Sequence, residues 1–389
     1  MVFVRVSVWA LTLNTICILG LANSSPLEQH SQLNCTNVVI PVTITATNLH
    51  IPIATTGPVF DVPVHGTFNI AARYCEPEIK VPSKQKTLQI LVHGITYDRN
   101  YWSGDGPPGS SYHGDQYSWI EFASKLGYPT LSIDRLGNGL SDHPDPVNIV
   151  QIPAQIETIH ELILKARAGT LPGPATPRAF NKIVYVGHSL GSSLGNGLNV
   201  KYPEDSDATI LTGFSNTLNG PFFSNSLAPT IVPAATVNPA EWGNLDPNYL
   251  ALNNSTIFQQ SFYYPGGYDP ALLTLDYSLS GTVTLGELTS ALPGPTVALR
   301  YQGPVFVVTG QHDAIFCNLP DPSPPANAPF ETFGCGPYGT GLSQTMALYP
   351  AAKSFQWFAP RNSGHCWHFH YEAYATFGVA HGWLALQGL

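Results

Sequence analysis

A series of short apolar runs, rich in β-branched residues and ending in glycine, aspartate or histidine, limits what this chain can fold into. Leu88 to Val92 runs into His93-Gly94, Pro129 to Ile133 into Asp134, and Lys182 to Val186 into Gly187. Thr209 to Thr212 runs into Gly213, Pro304 to Thr309 into Gly310, and Ser354 to Phe358 is the last. Runs of this kind are buried on both faces, as in a parallel sheet covered by helices. An earlier stretch, Gly66 to Cys75, alternates and reads as an edge strand. Helical patterns fall between the runs, over Tyr117–Leu126, Ile152–Ala168, Ser192–Tyr202 and His370–Leu386. In the second of these, Ile156, Ile159, Ile163 and Leu164 share one face. The alternation of strand and helix predicts an α/β fold with a doubly wound sheet.

Two stretches interrupt the alternation. Residues 218–300 are rich in Asn, Pro, Tyr and Leu, carry no clear strand series, and read as an inserted cap or lid. Residues 314–353 are rich in Pro and Gly, hold two cysteines, and read as a second insertion. The expected organisation is a leader over 1–22, a core over 23–217 and 301–389, and a cap over 218–300.

The leader reading rests on Arg5, the apolar run Val6 to Leu21, and the small residues of Gly20-Leu21-Ala22 at the cleavage position. A membrane anchor is the alternative, but the run is short for a span. After removal of the leader no stable membrane insertion is expected. Export suits the cysteines. Beyond Cys17 there remain Cys35, Cys75, Cys317, Cys335 and Cys366. An oxidising compartment favours two disulfides and one leftover thiol. The expected pairs are Cys35–Cys75 and Cys317–Cys335, with Cys366 free or replacing Cys335 as the partner of Cys317. No cysteine spacing fits a zinc site. Asn34, Asn253 and Asn254 each begin an N-glycosylation triplet. Charged residues are only 11% of the chain and the net charge is −9, with no Lys/Arg run, so nucleic acid is not an expected partner.

Gly187-His188-Ser189-Leu190-Gly191 follows a buried run and opens a helix. A nucleophilic serine in such a place needs a sharp, strained strand-to-helix turn, and the flanking glycines let neighbouring chain approach. The hydroxyl also needs a base. His365, in Ser363-Gly364-His365 shortly after the last run, is the best candidate; His368 and His370 are rivals that better suit a following helix or a pocket wall. His188 adjoins Ser189 in sequence, but its place in the turn points it away from the hydroxyl. A carboxylate must orient the imidazole. Asp313, after Gly310, fits the chain order Ser…Asp…His; Asp269 and Asp276 are weaker rivals, and Asp134 better suits support of the loop beneath the site. Two backbone N–H groups must meet the oxyanion, and Leu190 and Ile95 are the expected donors. Tyr97 could add a hydroxyl or simply pack. Asp134 to Ser141 is a Gly-rich turn without the Lys and spacing of a phosphate loop.

Together, His93-Gly94, Asp134-Arg135, Gly137, Gly139 and Ser141, the pentapeptide around Ser189, Asp313 and Gly364-His365 resemble the α/β-hydrolase superfamily. The nearest resemblance is to the secreted, capped serine hydrolases common in filamentous fungi. It covers about residues 66–389. It implies a mostly parallel sheet of eight strands, helices on both faces, a lid over the site, no cofactor, no metal, and water as acceptor. A serine at position 189 departs from relatives that use aspartate to open epoxides or carbon–halogen bonds. The separation of 52 positions from Asp313 to His365 is an unusually long gap.

The expected activity is hydrolysis of a carboxylic ester or lactone through an acyl-enzyme. The cap aromatics Phe222, Phe223, Trp242, Tyr249, Phe262, Tyr263, Tyr264 and Tyr268 suggest a small, hydrophobic substrate. An acyltransferase or biosynthetic cyclase using the same residues is the alternative, and a non-catalytic binding protein on this fold a third.

Overall fold

The computed structural model describes residues 33–50, 60–321 and 323–389. The leader expected over 1–22 lies outside them. The core is an eight-stranded sheet formed by β1 (Cys35–Leu49), β2 (Asp61–Cys75), β3 (Thr87–Val92), β4 (Thr130–Ile133), β5 (Lys182–His188), β6 (Ala208–Thr212), β7 (Val305–Val308) and β8 (Phe355–Phe358). Their order is β1-β2-β4-β3-β5-β6-β7-β8. The first two strands are antiparallel to their neighbours, and the other six are parallel. The alternation of runs leads to an α/β sheet of this kind, and its eight mostly parallel strands are those that the resemblance implies.

Why the central strands are legible is plain from burial. Every residue of β3, β4, β6 and β7 is buried, as strands sandwiched between helical layers must be. Helix α1 (Trp119–Lys125) packs on α7 (Ala373–Leu386), and α2 (Ile152–Ala168) on α3 (Leu190–Lys201). Ser118 caps α1 by accepting from Glu121 N, and Gly169 ends α2 in the left-handed conformation at φ 73°.

The edge hairpin differs. No strand is assigned above to 35–49, yet β1 is 15 residues long and pairs with all of β2. Ile40, Val42, Ile44 and Ala46 point inward while Pro41, Thr43, Thr45 and Thr47 face solvent. That period of two is the mark of a half-covered antiparallel strand. Cys35 lies opposite Cys75 at the end of the ladder and is bonded to it. Cys317 is bonded to Cys335, and Cys366 is a buried free thiol.

Between β6 and β7 the chain forms helices α4 (Ser255–Phe262), α5 (Pro270–Leu279) and α6 (Leu285–Ala291). It also forms a small antiparallel sheet of Ile231–Pro233, Tyr249–Leu252 and Val283–Thr284. The sequence reading sees no strand series here, because strands of three, four and two residues are too short to show alternation. Glu287 fastens this segment to the core: it closes the capping box of α6 with Thr284 and forms a buried ion pair with Arg135. Among the described residues no helix is long and apolar enough to cross a membrane.

Candidate active site

The turn between β5 and α3 holds Ser189 at φ 54° and ψ −118°. A side-chain-bearing residue in this region is strained and stays there only where its surroundings over-determine it. Ser189 N donates to Thr212 O on β6, and its carbonyl accepts from Ser192 and Ser193 N. Gly191 is needed because a Cβ there would lie 2.1 Å from Val92 O. The turn therefore presses against the end of β3 and lifts the serine above the sheet.

His365 and Asp313 arrive on the loops after β8 and β7. A Cβ on Gly310 would stand 2.0 Å from Gly364 O, so the two loops touch only because that residue is glycine. His365 Nδ1 is 2.8 Å from Asp313 Oδ2. Asp313 Oδ1 accepts from Ile315 and Phe316 N, both at 2.8 Å, which fixes the carboxylate plane. The His365 ring lies between Phe262 and Phe316, with centroids 5.7 and 5.9 Å away. The long separation in sequence costs nothing in geometry, since the disulfide-closed excursion after Asp313 leaves and returns beside the same strand end.

Ser189 and His365 line one cavity of about 110 Å³ together with Ile95 and Leu190. Among the described residues the Ser189 hydroxyl makes no hydrogen bond, and neither Ile95 N–H nor Leu190 N–H has a protein acceptor outside the helices. Catalytic hydrogen bonds commonly tighten only when substrate is bound. The loop carrying Ile95 is held from three sides. Arg135 donates to Gly94 O, Thr96 N donates to Thr282 O, and Thr96 O accepts from Gly281 N. Thr96 itself sits at φ 62°, a strained setting for a β-branched residue.

The rival candidates stand elsewhere. His188 is fully buried, stacks on Tyr101 at 4.5 Å, and is pushed well below the usual imidazole range by burial and by His365 and His368 nearby. His368 pairs with Tyr101 through Nδ1 at 2.8 Å. His370 Nε2 accepts from both Tyr264 N and Gly364 N, so its proton sits on Nδ1, facing Cys366 O; burial pushes its pKa down to about 3. It is a brace for the loop of His365. Asp134 pairs with Arg99 and accepts from Leu140 N. Asp269 bonds Tyr112, and Asp276 bonds Tyr97 and Tyr263. The Tyr97 hydroxyl is thus occupied away from the cavity.

Of the eight cap aromatics expected around the substrate, only Phe223 and Phe262 line the cavity. Tyr249 donates to Pro144 O, Tyr264 stacks on His312, and Phe222 packs on Phe333. The apolar walls come instead from Leu218, Leu227, Leu288, Leu292 and Ile315. Arg135 and His370, which position the two halves of the site, carry no motif of their own; Asp134-Arg135 following a strand is the one available signal. No group of three or more His, Cys, Asp or Glu suited to a metal occurs among the described residues.

Comparison with known proteins follows the same lines. Curated proteins give no match to the sequence. Among solved structures, a candidate non-heme bromoperoxidase, BpoC of Mycobacterium tuberculosis H37Rv, superposes with a TM-score of 0.51 at 14% identity, over 82% of this chain and 96% of that one. DcsB, solved in complex with its substrate analogue, gives 0.50 at 11% identity over 88% and 97%. A thermophilic esterase from Thermogutta terrifontis gives 0.48 at 14% identity over 88% and 98%. The model of the alpha/beta hydrolase family matches residues 89–377, which takes in most of β3, all of β4 to β8, the serine turn and the histidine loop, and the chain belongs to that family.

Proposed function

We propose that the chain is an exported serine hydrolase that cleaves a carboxylic ester, or lactone, with an uncharged apolar acyl group. One observation carries this reading. A strained serine, a carboxylate-bound histidine and two unclaimed backbone N–H groups meet at a single apolar cavity. In this reading Ser189 Oγ attacks the carbonyl carbon while its proton passes to His365 Nε2. Asp313 holds the imidazole in the Nδ1–H tautomer and stabilises the cation that forms. Ile95 and Leu190 N–H groups bind the oxyanion. The tetrahedral adduct collapses, His365 returns the proton to the departing alcohol, and water repeats the sequence on the acyl-serine. Residues 218–300 serve as the cap, residues 1–22 as the export signal, and the two disulfides suit an oxidising destination.

The test is covalent labelling by a fluorophosphonate probe together with turnover of short-chain 4-nitrophenyl esters. The wild type labels and turns over, and Ser189→Ala does neither while keeping its circular dichroism and melting profile. Equal labelling of Ser189→Ala overturns the assignment. Asp313→Asn should lower kcat by about 10⁴, as removal of the orienting carboxylate leaves the wrong imidazole tautomer.

A further inference from the structure

A second cleft, of about 240 Å³, opens on the far side of the Ile95 loop, where the core meets the cap. Its walls include Asp105 from the core and Asp276 from α5. Asp105 sits at φ 54°, a conformation that aspartate tolerates better than most residues but still one held by its surroundings. Its Oδ2 is enclosed and meets no hydrogen-bond donor. The carboxyl it meets is that of Asp276, within hydrogen-bond reach. Asp276 Oδ2 is already taken by the hydroxyls of Tyr97, at 3.0 Å, and Tyr263. Two carboxyls so placed, with no donor between them, require a shared proton.

The surroundings supply no cation to replace that proton. Tyr97, Tyr263 and the Cys366 thiol, itself 3.1 Å from the Tyr97 hydroxyl, are neutral neighbours. Asp98 adds a carboxyl whose charge pushes Asp105 up further, and burial raises Asp98 itself. Arg99 is spent on Asp134, and Arg73 on Asn37 and Asn100. Glu241 completes the charged lining of the cleft, and burial pushes His143, also in its wall, below the usual imidazole range. The position matters because α5 leads directly into Gly281 and Thr282, the residues whose backbone grips Thr96 beside Ile95.

We propose that Asp105 and Asp276 form a proton-sharing latch that closes the cap onto the loop of Ile95, and that loss of this proton at alkaline pH releases it. Desolvation pushes Asp276 up to about 7 and Asp105 higher than its ordinary value. In the unfolded chain both titrate near 4. Above about 7 Asp276 is ionised while Asp105 keeps the proton they share, so the stability this proton confers is complete below about 4 and is lost only at more alkaline pH, as Asp105, held well above the usual carboxylate range, ionises. Once both are ionised, two carboxylates face each other in an enclosed seam and repel.

The experiment is hydrogen–deuterium exchange of the full chain, corrected for intrinsic exchange, comparing residues 270–282 with α2. Between about pH 7 and about pH 10, wild-type protection at 270–282 should fall by about tenfold or more while α2 keeps its own. Asp105→Asn places an amide donor opposite Asp276 and should keep 270–282 protected across the range. If that variant does not fold, Asp276→Asn supplies the same donor from the other side. A flat wild-type profile, a parallel loss in α2, or an unchanged loss in the variant overturns the latch. The coupling to turnover rests on the ester-hydrolase reading, but exchange does not. Measured also in Ser189→Ala, it separates failure of the latch from failure of the catalytic assignment. If both hold, kcat at alkaline pH falls in the wild type and persists in Asp105→Asn.

Discussion

Backbone strain at Ser189 is the feature on which the site turns. The strand β5 enters it, α3 leaves it, and the turn closes because neither flanking glycine has room for a side chain: a Cβ on Gly187 would meet Gly191 O, and one on Gly191 would meet Val92 O of β3. Gly191→Ala would drive a Cβ to 2.1 Å from Val92 O, against backbone that has nowhere to yield. We expect this variant to lose about 3 kcal/mol in urea unfolding, the upper range for overpacking, and to label more slowly than its remaining folded fraction explains. Equal stability would mean that the turn can shift away from β3. At this scale the sequence is informative for a physical reason: a glycine demanded by contact with another backbone leaves its mark directly in the chain. The pentapeptide around Ser189 and the Gly364-His365 pair are legible in this way. Arg135 and His370 are not, because each acts through hydrogen bonds to remote carbonyl or amide groups that no local spacing encodes.

Among the elements, the buried strands announce themselves and the hairpin and cap strands do not. Leu88 to Val92 is apolar but for Gln89 because both faces are covered, whereas β1 alternates from Ile40 to Thr47 with a proline inside the run, a signal carried by half its residues. The two disulfides illustrate how position, rather than bond chemistry, decides consequence. Cys35–Cys75 joins the outer end of the hairpin; Cys317–Cys335 closes a loop whose first residues hold Asp313, with Cys317 N donating to Asp313 O. Chain-entropy arguments give each about 3–4 kcal/mol of stability. We therefore expect the paired Cys→Ser variants at 35/75 and at 317/335 to lose similar stability in urea. Only the second should lower kcat with little change in KM, because only it frees the carboxylate that orients His365. A loss of kcat in the 35/75 variant of the same size would show that general loosening, and not the Asp313 loop, is responsible.

Taken whole, the molecule builds its cavity from seven separate stretches: the turn after β3, the serine turn, the segment after β6, the end of α4, α6 with the residues that follow it, the loop after β7 and the loop of His365. No one of them shows the character of the cavity by itself, which is why an aromatic-rich cap suggests an aromatic lining that the fold does not deliver. Apart from His365, the assembled wall carries no ionisable side chain, and away from the groups assigned to the reaction its leucine-lined part offers nothing to pair with a charge. An acyl chain ending in a carboxylate would have to shed its water here with nothing in return, a cost of several kcal/mol. At about 1.4 kcal/mol per decade, kcat/KM for the 4-nitrophenyl monoester of succinic acid should then fall about 10³-fold below that for 4-nitrophenyl butyrate, of similar length. Salt should not close the gap, since the penalty is one of desolvation against apolar surface rather than repulsion across solvent. Comparable values for the two esters would mean that the acyl chain occupies open surface, and would move the binding site away from the leucine-lined wall.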